Sequence, residues 1–197
     1  MRKRIVLDRR ETVAAILRDR GEALVVTGLG SPSWDVFAAG DSPRNFYLWG
    51  AMGGAAMTGL GLALAQPRRR VLVVTGDGEM LMGLGSLASI AAQRVPNLAI
   101  VVIDNEHYGE TGMQPTHTRG GADLAATAKA LGISRSATLR TRAELARWIP
   151  RLYRERGPVF VAIKVKTDPV PLKLPPRDGT WLRSRFREAL LGAAAHE

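Results

Sequence analysis

Four short apolar runs, rich in Val, Ile and Leu, constrain the fold more than any other feature: Ala23 to Thr27, Val71 to Thr75, Leu98 to Ile103 and Val159 to Val165. Uninterrupted runs of this length and composition read as strands buried on both faces, as in parallel sheets. Helical patterns lie around them, at Glu11 to Arg20, Ala51 to Ala65, Leu81 to Arg94, Ala122 to Leu131 and Arg142 to Arg156. Strands and helices in alternation predict an α/β fold of three layers (αβα) with a mainly parallel sheet. Ligands bind such sheets beyond the carboxyl ends of the strands. Turn signals fall at those ends: Gly28-Leu29-Gly30-Ser31-Pro32, Gly76-Asp77-Gly78 and Asn105-Glu106-His107-Tyr108-Gly109. Three loops are therefore expected to meet at one edge.

The chain has 197 residues, 46% of them apolar, enough for one real core plus an extension. The expected division is a domain over 1–166 and an appendage over 167–197. In the appendage, Pro169, Pro171, Pro175 and Pro176 give an extended arm, since proline cannot donate to a ladder. A basic amphipathic helix follows at Trp181 to Leu191, with Leu182, Phe186 and Leu190 recurring every fourth position. The absence of cysteine excludes disulfides, iron–sulfur ligation and a thiol nucleophile. No long apolar stretch follows the basic start Met1 to Arg4, and no window reaches the roughly 18 apolar residues of a membrane span, so a cytoplasmic protein is expected. The formal charge of +10 comes from scattered arginines without an aromatic ladder. Solvated faces or an acidic partner subunit explain it better than nucleic acid.

Asp77 and Asn105 each sit where a strand ends, one helix and one strand apart, which returns the chain to the same sheet edge. A carboxylate, an amide oxygen and a backbone carbonyl are hard donors of the kind Mg²⁺ takes, with phosphate oxygens and water completing an octahedron. Gly76 and Gly78 allow a tight turn and close phosphate approach, and Glu79 and Met80 are expected to open the next helix at its positive end. By itself, Gly-Asp-Gly is also an ordinary turn, and Met52 is also plain helix core.

Taken in order, Trp49-Gly50-Ala51-Met52-Gly53-Gly54-Ala55, Gly76-Asp77-Gly78 and Asn105 resemble the diphosphate-binding (PP) domain of thiamine diphosphate (ThDP)-dependent decarboxylases. Over residues 22 to 165 the likeness is to the β subunits of sulfopyruvate decarboxylase and the matching C-terminal half of phosphonopyruvate decarboxylase. Asn45 to Leu48, Gly59 to Ala65, Gly83 to Ala88 and Tyr108 to Gln114 carry it. The resemblance implies ThDP and Mg²⁺ as cofactors, with Asp77, Asn105 and the His107 carbonyl as metal ligands. It implies that Gly50 and Met52 hold the aminopyrimidine, Met52 being an unbranched apolar wedge under the folded cofactor. Gly30, Ser31, Gly78, Glu79, Tyr108 and Gly109 are expected around the cofactor. The loop Tyr108 to Gln114 is expected to cover the reacting carbon of a small 2-oxo acid with an anionic tail. Ala51 stands where the family usually carries Ser.

In that family a glutamate on a separate pyrimidine-binding (PYR) domain activates the cofactor, and this chain offers no room for it. Either a partner α subunit supplies it, in an α2β2 or larger hetero-oligomer, or the chain is a remnant. Glu110, His107 and His117 are the ionisable candidates for general-acid chemistry. Of these Glu110 is taken, with Met52, as catalytic, and Arg119 is a candidate contact for the anionic tail. Rival readings are half of a split acetolactate-synthase-like carboligase and a non-catalytic binding subunit. A ferredoxin-linked oxidoreductase subunit is disfavoured by the lack of cysteine. A dinucleotide site at Gly28-Leu29-Gly30 is disfavoured by Ser33, which stands where the fingerprint needs its third glycine.

Overall fold

The computed structural model describes residues 5–196, so the Met1 to Arg4 start and Glu197 lie outside it. In chain order the elements are α1 (Arg9–Leu17), β1 (Leu24–Thr27), α2 (Ser31–Ala38), β2 (Asn45–Tyr47), α3 (Ala55–Ala65), β3 (Val71–Gly76), α4 (Asp77–Met82), α5 (Ser86–Gln93), β4 (Leu98–Asp104), β5 (His107–Tyr108), β6 (Gln114–Pro115), α6 (Leu124–Ala130), β7 (Arg135–Leu139), α7 (Arg142–Arg154), β8 (Val159–Lys164) and α8 (Gly179–Leu191), then a 3-10 turn over Gly192–His196. Six strands form one sheet in the order β2-β1-β3-β4-β8-β7. All its neighbours run parallel. From β1 the chain moves outward to β2, then crosses to β3 and proceeds the other way. The order therefore reverses between β1 and β3, where an open sheet forms its ligand crevice.

Period-two alternation feeds two cores at once. In β4 every residue is buried. Leu98, Ile100 and Val102 face a cluster with Leu60 of α3, Ile90 of α5 and Ala128 of α6. Ala99, Val101 and Ile103 face the other, with Ile16 of α1, Val36 of α2 and Leu152 of α7. Each buried Val, Leu or Ile contributes roughly 1.5–3 kcal/mol, so this central strand is a main source of stability.

Several boundaries differ from the sequence expectation. The helix expected over Leu81 to Arg94 is two helices, α4 and α5. They break at Gly83, where a side chain would overlap the Gly53 carbonyl. Helix α4 begins at Asp77 rather than at Glu79. Helix α3 begins at Ala55 rather than Ala51, because Gly50, Ala51 and Gly53 take φ of 80°, 45° and 87°. The expected loop Gly28 to Pro32 already contains the start of α2, with Gly30 as its N-cap and Pro32 in its first turn. Strands β2 and β7 are the sheet's two edges: β2 is a largely buried Asn-Phe-Tyr of three residues and β7 is polar and partly exposed, so neither gives a continuous apolar run.

The C-terminal helix α8 lies along the β2 edge. Leu182 enters one core and Phe186 the other, where its ring meets Phe46 at 5.3 Å. Arg185 reaches Asp41 at 2.6 Å, and the arm before α8 is tied down by Trp49, whose Nε1 donates to the Pro176 carbonyl at 2.7 Å. A covered edge strand offers no free ladder to other chains. Some arginines are likewise structural rather than solvated. Arg70 donates to the Leu152 and Glu155 carbonyls at 2.6 and 2.9 Å, ending α7, and burial lowers its pKa to about 10. Among the described residues no helix is long and apolar enough to cross a membrane.

Candidate active site

At the reversal between β1 and β3 lies a cleft of ≈ 420 Å³. One wall is the first turn of α2, with Gly30 and Ser31. The floor is the β3–α4 junction from Gly76 to Glu79, and the other wall is Asn105 and His107 to Glu110. Met52 closes one end, and the arm residues Lys166 to Val170 border the cleft. A helix leaves its first N–H groups unpaired, so the start of α2 presents positive potential here. Gly30 adopts φ +74°, and a side chain on it would overlap the Glu110 carboxylate.

Asp77, the first residue of α4, is 2% exposed. Its Oδ2 accepts from the Thr116 hydroxyl at 2.5 Å and lies 3.3 Å from that of Thr118. Burial, and then the neighbouring Asp104 charge, push its carboxyl up to about 6, with Thr116 opposing. The charged form is thus disfavoured by roughly 3 kcal/mol until something positive joins it. Asn105 turns its side chain inward: Oδ1 accepts from the His107 N–H at 3.0 Å, and its carbonyl accepts from the His107 ring Nδ1 at 2.8 Å. This turn fixes the His107 peptide without using the second lone pair of the amide oxygen. Among the described residues no three His, Asp or Glu side chains cluster as an all-protein metal cage. A cation here would need ligand oxygens as well, as Mg²⁺ with a diphosphate does.

Glu79 is buried beneath the first loop, where a side chain on Gly28 would overlap its carboxylate. Its Oε2 accepts from Thr75 at 2.8 Å. Burial raises its pKa, while bonding from Thr75 and from the main chain at Ala55, Leu29 and Gly53 opposes the rise. The carboxylate thus sits where the first loop, β3 and the turn before α3 meet. Tyr108 covers Gly78 so closely that a Cβ there would meet the ring at 2.5 Å. Glu110 sits at the exposed rim, and partial burial raises its carboxyl as well.

The structure brings Gly30, Ser31, Met52, Asp77, Gly78, Glu79, Asn105, His107, Tyr108, Gly109 and Glu110 to one cleft. Gly50 is exposed and does not line it. His117 lines a neighbouring cavity of ≈ 440 Å³ with Met52 and Met82. Arg119 lies beyond the Asn105 turn, its Nη1 3.5 Å from His107 Nε2. Sequence reasoning missed Thr116, Thr118, Asp104 and Lys164, which form a buried network behind Asp77. Thr116 and Thr118 lie at the start of the turn that follows β6, where the Arg119 N–H donates to the Thr116 carbonyl at 3.1 Å, and nothing in the sequence says what their hydroxyls meet.

A parallel sheet whose reversal crevice holds a Gly-Asp-Gly turn, a helix start and hard oxygen donors defines a class of diphosphate-binding α/β enzymes. Residues 33–163 match the family described as thiamine pyrophosphate enzyme, C-terminal TPP binding domain. The chain belongs to that family, among its ThDP-dependent decarboxylases. It is similar to sulfopyruvate decarboxylase subunit beta of Methanothermobacter thermautotrophicus, 38% identical over 194 residues, covering 96% of this chain and 98% of the relative. It is also similar to phosphonopyruvate decarboxylase of Streptomyces viridochromogenes, 45% identical over 111 residues, covering 56% of this chain and 28% of that one. The solved ThDP-dependent 4-hydroxybenzoylformate decarboxylase of Rhodococcus jostii RHA1 shares the fold at a TM-score of 0.69 and 19% identity, covering 85% of this chain. The chain spans 34% of that structure's length.

Proposed function

We propose that this chain is the β subunit of a two-subunit, ThDP-dependent 2-oxoacid decarboxylase acting on sulfopyruvate, phosphonopyruvate or a similar small anion. The observation that carries the reading is the convergence of Asp77, Asn105 and the His107 turn opposite the first turn of α2. The donor chemistry fits Mg²⁺: a buried carboxylate that has no positive partner among the described residues, an amide oxygen and a carbonyl, all hard oxygens. On this reading Asp77, Asn105 and the His107 carbonyl hold the cation. Gly30, Ser31, Gly78, Glu79, Tyr108 and Gly109 shape the diphosphate pocket, and Gly50 and Met52 receive the pyrimidine. When bound, ThDP supplies the electron sink that makes carbon dioxide a leaving group.

The chain's own residues then bind, orient and protonate. Asp77 has to lose its proton before it can hold a cation. Tyr108 covers Gly78 and keeps water from that side of the cleft. Glu110, whose carboxyl partial burial raises above its ordinary value, is the proposed general acid at the rim. The pyrimidine-activating glutamate is proposed to come from a PYR-domain α subunit in a cytoplasmic hetero-oligomer. The domain is taken as 1–166 and the appendage as 167–197.

The test is carbon dioxide release from sulfopyruvate, phosphonopyruvate and pyruvate, with ThDP and Mg²⁺, by the purified chain alone and then with a co-expressed PYR-domain subunit. Turnover only with the partner is expected, and robust turnover by the single chain overturns the two-subunit reading. Acetolactate-type products in place of the simple aldehyde would identify a carboligase instead.

A further inference from the structure

Behind Asp77 a buried polar network runs from the cleft to a second cavity of ≈ 330 Å³, lined by Asp104, Glu106, Thr118 and Lys164. Asp77, Asp104, Glu106, Thr116, Thr118 and Lys164 are each 5% exposed or less. Lys164 Nζ pairs with Asp104 Oδ2 at 2.6 Å and Glu106 Oε1 at 3.0 Å. Asp104 Oδ1 accepts from the Thr118 hydroxyl at 2.8 Å, and the two threonine hydroxyls lie 3.0 Å apart. Each hydroxyl has one proton to give. The 2.5 Å contact assigns the proton of Thr116 to Asp77, and the 2.8 Å contact assigns that of Thr118 to Asp104; the remaining 3.3 Å contact is too long to compete. The Thr116 N–H also donates to the Glu106 carbonyl at 2.9 Å, so this hydroxyl is held by the loop that follows the Asn105 turn.

Resting on the proposal that Asp77 binds the cation of Mg-ThDP, we infer that Thr116 and Thr118 are positioning residues for it. Thr116 occupies Oδ2 of Asp77 and fixes the carboxylate plane. Thr118, whose one proton goes to Asp104, locks Thr116 in place by packing against it, the two hydroxyls touching at 3.0 Å with no proton left for a bond between them. Ligating carboxylates held by such outer partners typically lose 10- to 100-fold in metal affinity when the partner is removed.

The experiment measures ThDP binding to the full chain with its partner subunit, by calorimetry in Mg²⁺ and separately in Ca²⁺, for wild type, Asp77→Ala, Thr116→Val, Thr118→Val and Thr116→Ser. Valine keeps the branched shape and removes the hydroxyl, and melting curves verify folding. Expected are loss of binding in Asp77→Ala, about 10- to 100-fold weaker binding with Mg²⁺ in Thr116→Val, a smaller loss in Thr118→Val, and near wild-type binding in Thr116→Ser. Mg²⁺ demands a near-ideal octahedron and Ca²⁺ does not, so a loosened Asp77 should lower the ratio of Mg²⁺- to Ca²⁺-supported affinity, which a general packing defect would leave unchanged. Wild-type affinity and ratio in Thr116→Val, with Asp77→Ala still null, overturn the positioning role alone. Unimpaired binding by Asp77→Ala, or no ThDP binding at all, overturns the metal site and the inference with it. Should Thr116→Val not fold, Thr116→Ser and Thr118→Val decide: a wild-type cation ratio in Thr118→Val overturns the lock.

Discussion

The two ends of the cleft are built differently. At the diphosphate end, Asp77 is 2% exposed, starts a helix and is backed by hydroxyls and a buried ion pair. At the other end, Gly50 and Ala51 are exposed, Met52 is 38% exposed, and the backbone bends through φ of 80° and 45° before α3 begins. One end has its supports within this chain. The other presents an open, conformationally special turn, as suits a surface completed by a partner in the proposed hetero-oligomer.

The largest effect that would break this contrast is at Asp77. Asp77→Asn keeps an acceptor for Thr116 but removes a buried charge, so ThDP binding should vanish while the unliganded chain melts higher, by roughly 6–12 °C for relief of about 3 kcal/mol. A lower melting temperature would show that the buried end is not strained by its carboxylate. The same residue sets a pH dependence. Its folded pKa, about 6, lies above its ordinary 3.8, so the folded chain holds more protons between those values. Asp77's contribution therefore makes the unliganded protein lose stability as pH rises through that window, whereas Mg-dependent ThDP binding weakens as pH falls below about 6. Calorimetric titrations at pH 5 and 7.5 test the opposite signs.

Next in size is Gly78→Ala. Its Cβ would meet the Tyr108 ring at 2.5 Å, so the ring must move, at about 1–3 kcal/mol in stability, with weaker ThDP binding. Smallest is Ala51→Gly at the open end. Relief of the positive φ, about 1 kcal/mol, is offset by glycine's added freedom in the unfolded chain, so denaturant unfolding should shift by under about 1 kcal/mol. A larger shift would mean that the open end is internally supported after all.

Much of this was legible in the sequence. Val71 to Thr75 and Leu98 to Ile103 announced buried parallel strands because both their faces are apolar, and Gly76-Asp77-Gly78 with Asn105 announced which loops meet at the cleft. Edge strands β2 and β7 were not legible, since a strand with one open side needs no apolar run. The split of α4 from α5 was hidden because it answers to Gly53, a residue distant in sequence. Thr116 and Thr118 lay in an unremarkable polar loop.

By itself the sequence determined periodicity, chain reversal and residue chemistry: an αβα sheet, a crevice at its carboxyl edge, and hard oxygen donors returned to that edge by one helix and one strand. Those are local properties, encoded within a few residues of where they act. Only the tertiary structure decided that Asp77 is buried with a raised pKa, that Thr116 and Lys164 stand behind it, that Glu79 sits where three segments meet, and that Gly50 faces outward. Burial and long-range hydrogen bonds depend on which distant side chains arrive at a site, and sequence spacing alone leaves that unspecified.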